Sequence, residues 1–168
     1  PWRAPAGLNR GLLNVLGVRH KYQKGDRDSL WKAQINYIRD FKGIGRAVWE
    51  QRTMQVMQSG YSYVNVVRLM DYLAIGLRRA VLFKEFEPND EVLRLELKSL
   101  AEEIIRPVIQ ARGIKKALVV CDNRNNSSRA ENLGELYLDF IIQPTIPGEK
   151  IIIRSTLTKA GVDMEELI

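Results

Sequence analysis

The spacing of apolar positions divides the chain into parts with different periods. From Ser62 to Phe86, Val66, Val67, Met70, Leu73, Ala74, Leu77, Ala80 and Val81 recur at intervals of three and four, which predicts a helix over 62–86. Arg68, Asp71, Arg78, Arg79 and Lys84 take much of the opposite face, and Pro88 disfavours helical geometry at Glu87, ending the run. A second helix is expected from Asn89, with Leu93, Leu97, Leu100, Ala101, Ile104 and Val108 on one face. Asn89 suits the N-cap, and Asp90 and Glu91 in the first turn complement the positive end of the helix dipole. Pro107 should kink or end this helix near Arg106, and Gly113 is a natural terminator. Asp90 with Arg94, and Glu102 with Arg106, read as solvated i,i+4 pairs worth roughly 0.2–0.5 kcal/mol each.

Outside these helices the runs are shorter. Residues 12–18 read as a short strand. Asp26 to Ser29 cap a short helix over 28–38 that carries Leu30, Trp31, Gln34, Ile35 and Ile38. A turn with Gly43 and Gly45 leads into a strand over 46–54. After the second long helix, Ala117 to Cys121 reads as a buried strand running into a polar loop. Residues 133–143 alternate, with Leu136, Leu138, Phe140 and Ile142 on one side, and Pro144 to Gly148 break the run. Lys150, Ile151, Ile152, Ile153 and Arg154 make a last strand, and 155–168 form a tail with no obvious partner in the chain. The class expected is α+β: a single domain of two long helices packed on a small mixed or antiparallel sheet, with terminal arms.

Composition narrows the chemistry more than the fold. At 168 residues and 45% hydrophobic the chain can bury one core, and no apolar run reaches the roughly 20 residues of a bilayer span. It opens on Pro1 without a charged leader and reads as a fragment. Cys121 is the single cysteine and His20 the single histidine, so an internal disulfide and most zinc patterns are excluded. An enzyme would need His20, Cys121, Asp122 and Asp139 to meet in one pocket; a buried structural cysteine and a surface histidine are the favoured reading. Gly43-Ile44-Gly45 is a turn rather than half of a dinucleotide fingerprint, because Val48 stands where the third glycine belongs. The Asn125 to Ser128 glycosylation matches mean only a loop.

The net charge is +6, unevenly spread: residues 1–60 hold 11 Lys and Arg against 4 Asp and Glu, residues 61–116 are +2, and residues 117–168 are −3. Opposite ends suit head-to-tail contact between copies as well as a nucleic acid. In the alternative reading, a basic nucleic-acid-binding α+β module, the cations of the first 60 residues meet phosphates while Trp2, Tyr22, Trp31, Tyr37, Phe41 and Trp49 stack on bases. Arg106, Arg112, Lys115 and Lys116 fit either a helix-end complement or a cationic handle for an acidic protein. The triplet Ile151 to Ile153 fits either a core strand or a strand added to a neighbour's sheet edge.

Ala6-Gly7, Ile35-Asn36, a strand from Gly45 to Thr53 with Trp49, Arg52 and Thr53, and Tyr63-Val64-Asn65-Val66-Val67-Arg68-Leu69 form an ordered series. Its most specific piece is Phe86-Glu87-Pro88-Asn89-Asp90 between the two helices, followed by Cys121-Asp122, the Gly134 strand start and the final Ile-rich strand. The series resembles the C-terminal portion of contractile tail sheath proteins of bacteriophages and related injection machines. The resemblance covers nearly the whole chain. It departs at Val67-Arg68, where two arginines often occur, at Glu50, where glycine is common, and at the loosely matching Pro144 to Pro147 segment.

The resemblance implies a structural subunit that polymerises around the inner tail tube and contracts to drive it through the host envelope. Neither catalysis, metal nor cofactor is implied. It divides the chain into residues 1–154 (1–59 the end of the core domain, 60–154 the C-terminal sheath domain) and an arm, 155–168. The implied partners are other sheath subunits in hexameric rings and a helical stack, the tube protein, and a baseplate and tail terminator, without direct nucleic acid or membrane insertion. The implied location is the phage tail in the virion, assembled in the bacterial cytoplasm. Arg106, Arg112, Lys115 and Lys116 become candidates to face the tube, and Lys150 to Arg154 candidates for the inter-subunit strand.

Overall fold

A computed structural model describes residues 1–149, and the predicted strand and tail over 150–168 lie outside the described residues. Two long helices dominate. The first, α2 (Val64–Val81), is extended by a 3-10 turn at Leu82–Lys84; the second, α3 (Glu91–Gln110), runs antiparallel-bundle fashion against the same core. Leu69, Leu73 and Leu77 of α2 meet Ala101, Ile105 and Val108 of α3 in one buried cluster. Each fully buried Leu or Ile contributes about 1.5–3 kcal/mol.

The cluster is closed by an antiparallel pair, β4 (Ile114–Val120) and β5 (Asp139–Pro144). Ala117 opposite Ile142 and Val119 opposite Phe140 face the helices, while Leu118 opposite Ile141 faces outward. A smaller cluster of Leu93, Leu97 and Cys121, with Val81, Leu136 and Leu138, closes the other end of α3. The α+β class and the helix pair are as expected, but the sheet is two sheets. The second is three-stranded and antiparallel, in the order β1 (Leu12–Leu13), β3 (Gly45–Val48), β2 (Ile38–Phe41), preceded by α1 (Lys24–Lys32). It is joined to the helices through an Arg52–Tyr63 bridge, by Trp2, which packs on the main core, and by Asn65 Nδ2, which donates to the Trp2 carbonyl at 3.1 Å.

Several predicted boundaries move. The helix expected over 28–38 ends at Lys32, because Gln34 turns left-handed at φ 58° and Ile38 starts a strand. The strands expected over 12–18 and 46–54 shrink to Leu12–Leu13 and Gly45–Val48. Residues 133–138 are not a strand; a five-residue helix, α4 (Ser128–Asn132), precedes them, although Leu136 and Leu138 still turn inward. The buried faces of the long helices include Leu69 and Ile105, which the predicted stripes left out.

Pro107 does not end α3, which continues three residues to Gln110. The missing donor exposes a carbonyl on the solvent side, beside exposed Glu103, while Ile105 and Val108 hold the other side in the core. The helix stops in a left-handed cap whose bonds are Gly113 N to Val108 O and Arg112 N to Ile109 O, both 2.9 Å. Arg112, not Gly113, takes the positive φ of 59°. Gly113 is required for another reason: a β-carbon there would lie 2.7 Å from Trp2 Cγ and 2.8 Å from Val108 Cγ1.

Candidate functional site

The turn between α2 and α3 holds Phe86, Glu87, Pro88, Asn89 and Asp90, and the fold uses only some of them. Asp90, not Asn89, is the N-cap of α3: its carboxylate accepts from Leu93 N at 2.8 Å. Asn89 is freed to donate to Glu135 O at 3.0 Å, tying the turn to the segment before β5. Lys84 Nζ clasps Glu96 at 2.7 Å, and that hydrogen bond raises the ammonium's pKa. Phe86 has no such duty. Its ring is fully exposed and its backbone sits at φ 68°, while neighbouring Phe83 is 87% exposed. From 85 to 91 there are four carboxylates, Glu85, Glu87, Asp90 and Glu91, and no Lys or Arg. The turn is an apolar knob in an acidic collar.

The opposite end of α3, about 30 Å away for a 20-residue helix, has the reverse sign. Arg106, Arg112, Lys115 and Lys116 are all exposed there, and 106–116 contains no Asp or Glu. Two consecutive lysines both reach solvent because the β4 register shifts between Ile114 and Lys116. The negative end of the α3 dipole favours this cluster. The fold thus brings the four predicted cations together at one corner.

The β4–β5 sheet has two strands, so among the described residues each presents one unpaired edge. The predicted inter-subunit strand, Lys150 to Arg154, lies outside the described residues. Glu149 just before it is held by Arg52 at 3.2 Å.

Two polar networks frame these surfaces. Asn125 Nδ2 donates to Val120 O, Tyr137 O and Asp139 Oδ2 at 2.9–3.0 Å, and Asn126 exchanges bonds with the Tyr137 backbone. Asp122, gripped by Arg124 at 2.6 Å, is lowered to about 2 by those side-chain and backbone hydrogen bonds. Arg94 corrects the expected solvated pair with Asp90: it is buried, donates to Asn123 Oδ1 at 2.7 Å and pairs with Glu131 at 3.4 Å. Its position beside Leu93 in the buried stripe was the available signal, and what covers that stripe, the 122–136 segment, was not.

The constellations behind other functions are not assembled. Cys121 is buried against Leu93 and Leu97, where burial pushes its thiol up, while His20 leans on Tyr22 in the first third. Among the described residues no group of three or more His, Cys, Asp or Glu is placed to hold a metal, and no helix is long and apolar enough to cross a membrane. The rings of the basic third pack within the chain: Trp2 on Tyr72, Tyr22 on Tyr37, Phe41 on Trp49. Arg39 lies over Phe41 and Trp49, and Arg52 over Trp31 and Tyr63. These are internal cation–π contacts rather than a stacking platform for bases.

Comparison with known proteins agrees on one family. The model of the phage tail sheath C-terminal domain matches residues 57–158. The tail sheath protein of Enterobacteria phage T4 is 29% identical over 167 residues, covering 99% of this chain and 25% of that protein. The tail sheath protein of Vibrio phage KVP40 is 29% identical over 171 residues, with 100% and 25% covered. The chain therefore spans about a quarter of the length of the curated relatives it matches. Among solved structures, the contracted sheath complex of the extracellular contractile injection system PVC superposes with a TM-score of 0.86 at 23% identity, over 98% of this chain and 47% of that one. The contracted helical sheath of the anti-feeding prophage gives 0.82 at 22%, over 94% and 45%. At these identities the structures establish the shared fold.

Proposed function

The chain belongs to the phage tail sheath C-terminal domain family, and from that premise we propose that it is the assembly-bearing portion of a contractile tail sheath subunit. The observation that carries this reading is the two-stranded β4–β5 sheet, unpaired at both edges among the described residues, on a tightly packed helix pair. An open edge on a rigid support accepts a strand from another chain through main-chain hydrogen bonds. In the proposal Lys150 to Arg154 of one copy supply such a strand to a neighbour, and residues 155–168 continue as the arm. Copies join into hexameric rings and a helical stack around the inner tube, ending on a baseplate and a terminator.

The basic corner of Arg106, Arg112, Lys115 and Lys116 faces the tube in this reading. All four side chains are exposed, and exposed ion pairs contribute about 0–1 kcal/mol each and are screened by salt. Such contacts guide the sheath onto the tube without preventing it from sliding. The protein works in the phage tail, is assembled in the bacterial cytoplasm, and needs neither catalysis nor cofactor.

Electron microscopy with helical reconstruction of the full-length protein, alone and in its source particle, tests this. The expected result is a tubular polymer with the basic corner on the inner wall. Monomers throughout, with no lattice in the particle, would overturn it.

A further inference from the structure

Phe86 and Glu87 are exposed on the α2–α3 turn, where Asn89 and Asp90 do the structural work. A fully exposed phenyl ring on left-handed backbone is costly to keep: that conformation costs a non-glycine residue roughly 1–2 kcal/mol. The fold recovers none of this from the ring, which buries no surface within the described chain. The ring therefore calls for a partner with an apolar hollow and, given Glu85, Glu87, Asp90 and Glu91 around it, a basic rim.

The same chain carries such a hollow in its first third. A groove of about 330 Å³ is lined by Val15, Val18, Ile35 and Ile38 together with Arg19, His20 and the polar Tyr22 and Asn36, the lower end of the roughly 300–1,000 Å³ typical of binding clefts. Residues 11–25 contain Arg19, Lys21 and Lys24 and no Asp or Glu. Lys21 is paired with Asp40 of β2 at 3.8 Å, whereas Arg19 makes no ion pair with a described residue.

We propose that the Phe86 knob of one copy inserts into the Val15–Val18–Ile35–Ile38 groove of a second copy, with Glu87 opposite Arg19. This deepens the assembly reading above and rests on it. The contact joins two different surfaces, so it repeats head to tail and builds a ring or a helix rather than a closed dimer. It is also small. One phenyl ring buries about 150–250 Å², short of the roughly 800 Å² per partner of a stable complex. The knob therefore holds copies that strand exchange has already brought together, and does not dimerise the protein in dilute solution.

Cross-linking in the full-length protein tests this. Phe86→Cys with Val18→Cys, assembled and treated with a short bismaleimide, should give a ladder of covalent oligomers, while either substitution alone gives none. Buried Cys121 supplies an internal control, staying unlabelled. Separately, Glu87→Arg should raise the critical concentration for assembly, and Arg19→Glu added to it should restore most of the loss. Phe86→Ala should raise that concentration by about tenfold to a hundredfold, the burial of one ring. Tubes that form normally with all these variants and show no ladder would overturn the knob contact alone. Failure of the wild-type protein to form tubes in solution or in its particle would overturn the assembly reading, and this contact with it.

Discussion

Replacing Phe86 by asparagine removes an apolar ring and relieves a strained backbone, and the two effects separate stability from assembly. The ring is fully exposed, so the roughly 1.5–3 kcal/mol that deletion of a buried phenyl would cost does not apply. The backbone at φ 68° costs a phenylalanine roughly 1–2 kcal/mol, of which asparagine, which tolerates this region through local hydrogen bonding, recovers about half. Unlike glycine, asparagine adds little freedom to the unfolded chain. The 168-residue chain should therefore gain about 0.5–1 kcal/mol, and its melting temperature should rise by about 1–4 °C. Urea denaturation followed by circular dichroism measures this directly, with an unchanged m-value expected because the buried surface is unchanged. A loss of about 1 kcal/mol or more would show that the ring packs against its own chain, and the case for a partner would collapse.

Three other outcomes follow from the geometry. Gly113→Ala places a β-carbon 2.7 Å from Trp2 Cγ and should destabilise by about 1–3 kcal/mol, visible as a lower urea midpoint and a blue- or red-shifted tryptophan spectrum. Asp122 is depressed from 3.8 to about 2 by Arg124, so its contribution is complete above the unfolded value and is lost as pH falls from 3.8 through about 2. Over that window the wild-type urea midpoint should fall faster than that of Asp122→Asn, and parallel curves would remove the ion pair from the account. Lys115→Glu with Lys116→Glu should leave the urea midpoint within about 0.5 kcal/mol of wild type but weaken co-sedimentation with purified tail tubes at low salt; equal binding at all salts would place the tube contact elsewhere.

The long helices were legible because their apolar positions repeat over five turns, long enough for a face to emerge from the noise of single residues. Even so the stripes missed Leu69 and Ile105, since half-buried Val67 and Met70 on α2, and Ile104 on α3, carry the same sequence signal. The inward side of β5 was read correctly at Phe140 and Ile142, but its start was not, because alternation persists from Leu133 while pairing begins only at Asp139. Ile35 and Ile38 mimicked helical spacing across a left-handed Gln34, a backbone choice that glutamine does not announce. At the α2–α3 turn the residues were singled out correctly and their duties were not: two adjacent capping residues, Asn89 and Asp90, differ in which one the chain direction aims at the Leu93 amide. Arg94 was hidden for a tertiary reason, since an i,i+4 partner looks the same whether or not another segment covers it.

The positions of the interaction surfaces relative to the core bear on how a sheath would contract. A contracting lattice requires a body that keeps its shape while its contacts are exchanged. Here Leu69, Leu73, Leu77, Ala101, Ile105 and Val108 form one buried cluster, and every surface proposed to meet another molecule lies outside it. The knob is on a turn, the lysines are at a bulge, and a strand edge offers main-chain groups rather than core side chains. Exchange at any of these disturbs no core packing, so the free-energy differences between two lattices reside in the contacts themselves. The acidic knob and the basic corner also sit at opposite ends of α3, about 30 Å apart along 20 residues, several Debye lengths at physiological salt. A change of partner at one end is therefore electrostatically silent at the other. In the proposed assembly, coupling between the knob contact and the tube contact would have to pass through rigid rotation of the α2–α3 pair, and a variant that loosens that pair, such as Leu73→Ala, which should cost about 2–5 kcal/mol, should uncouple them by lowering contraction yield at temperatures where tubes still form.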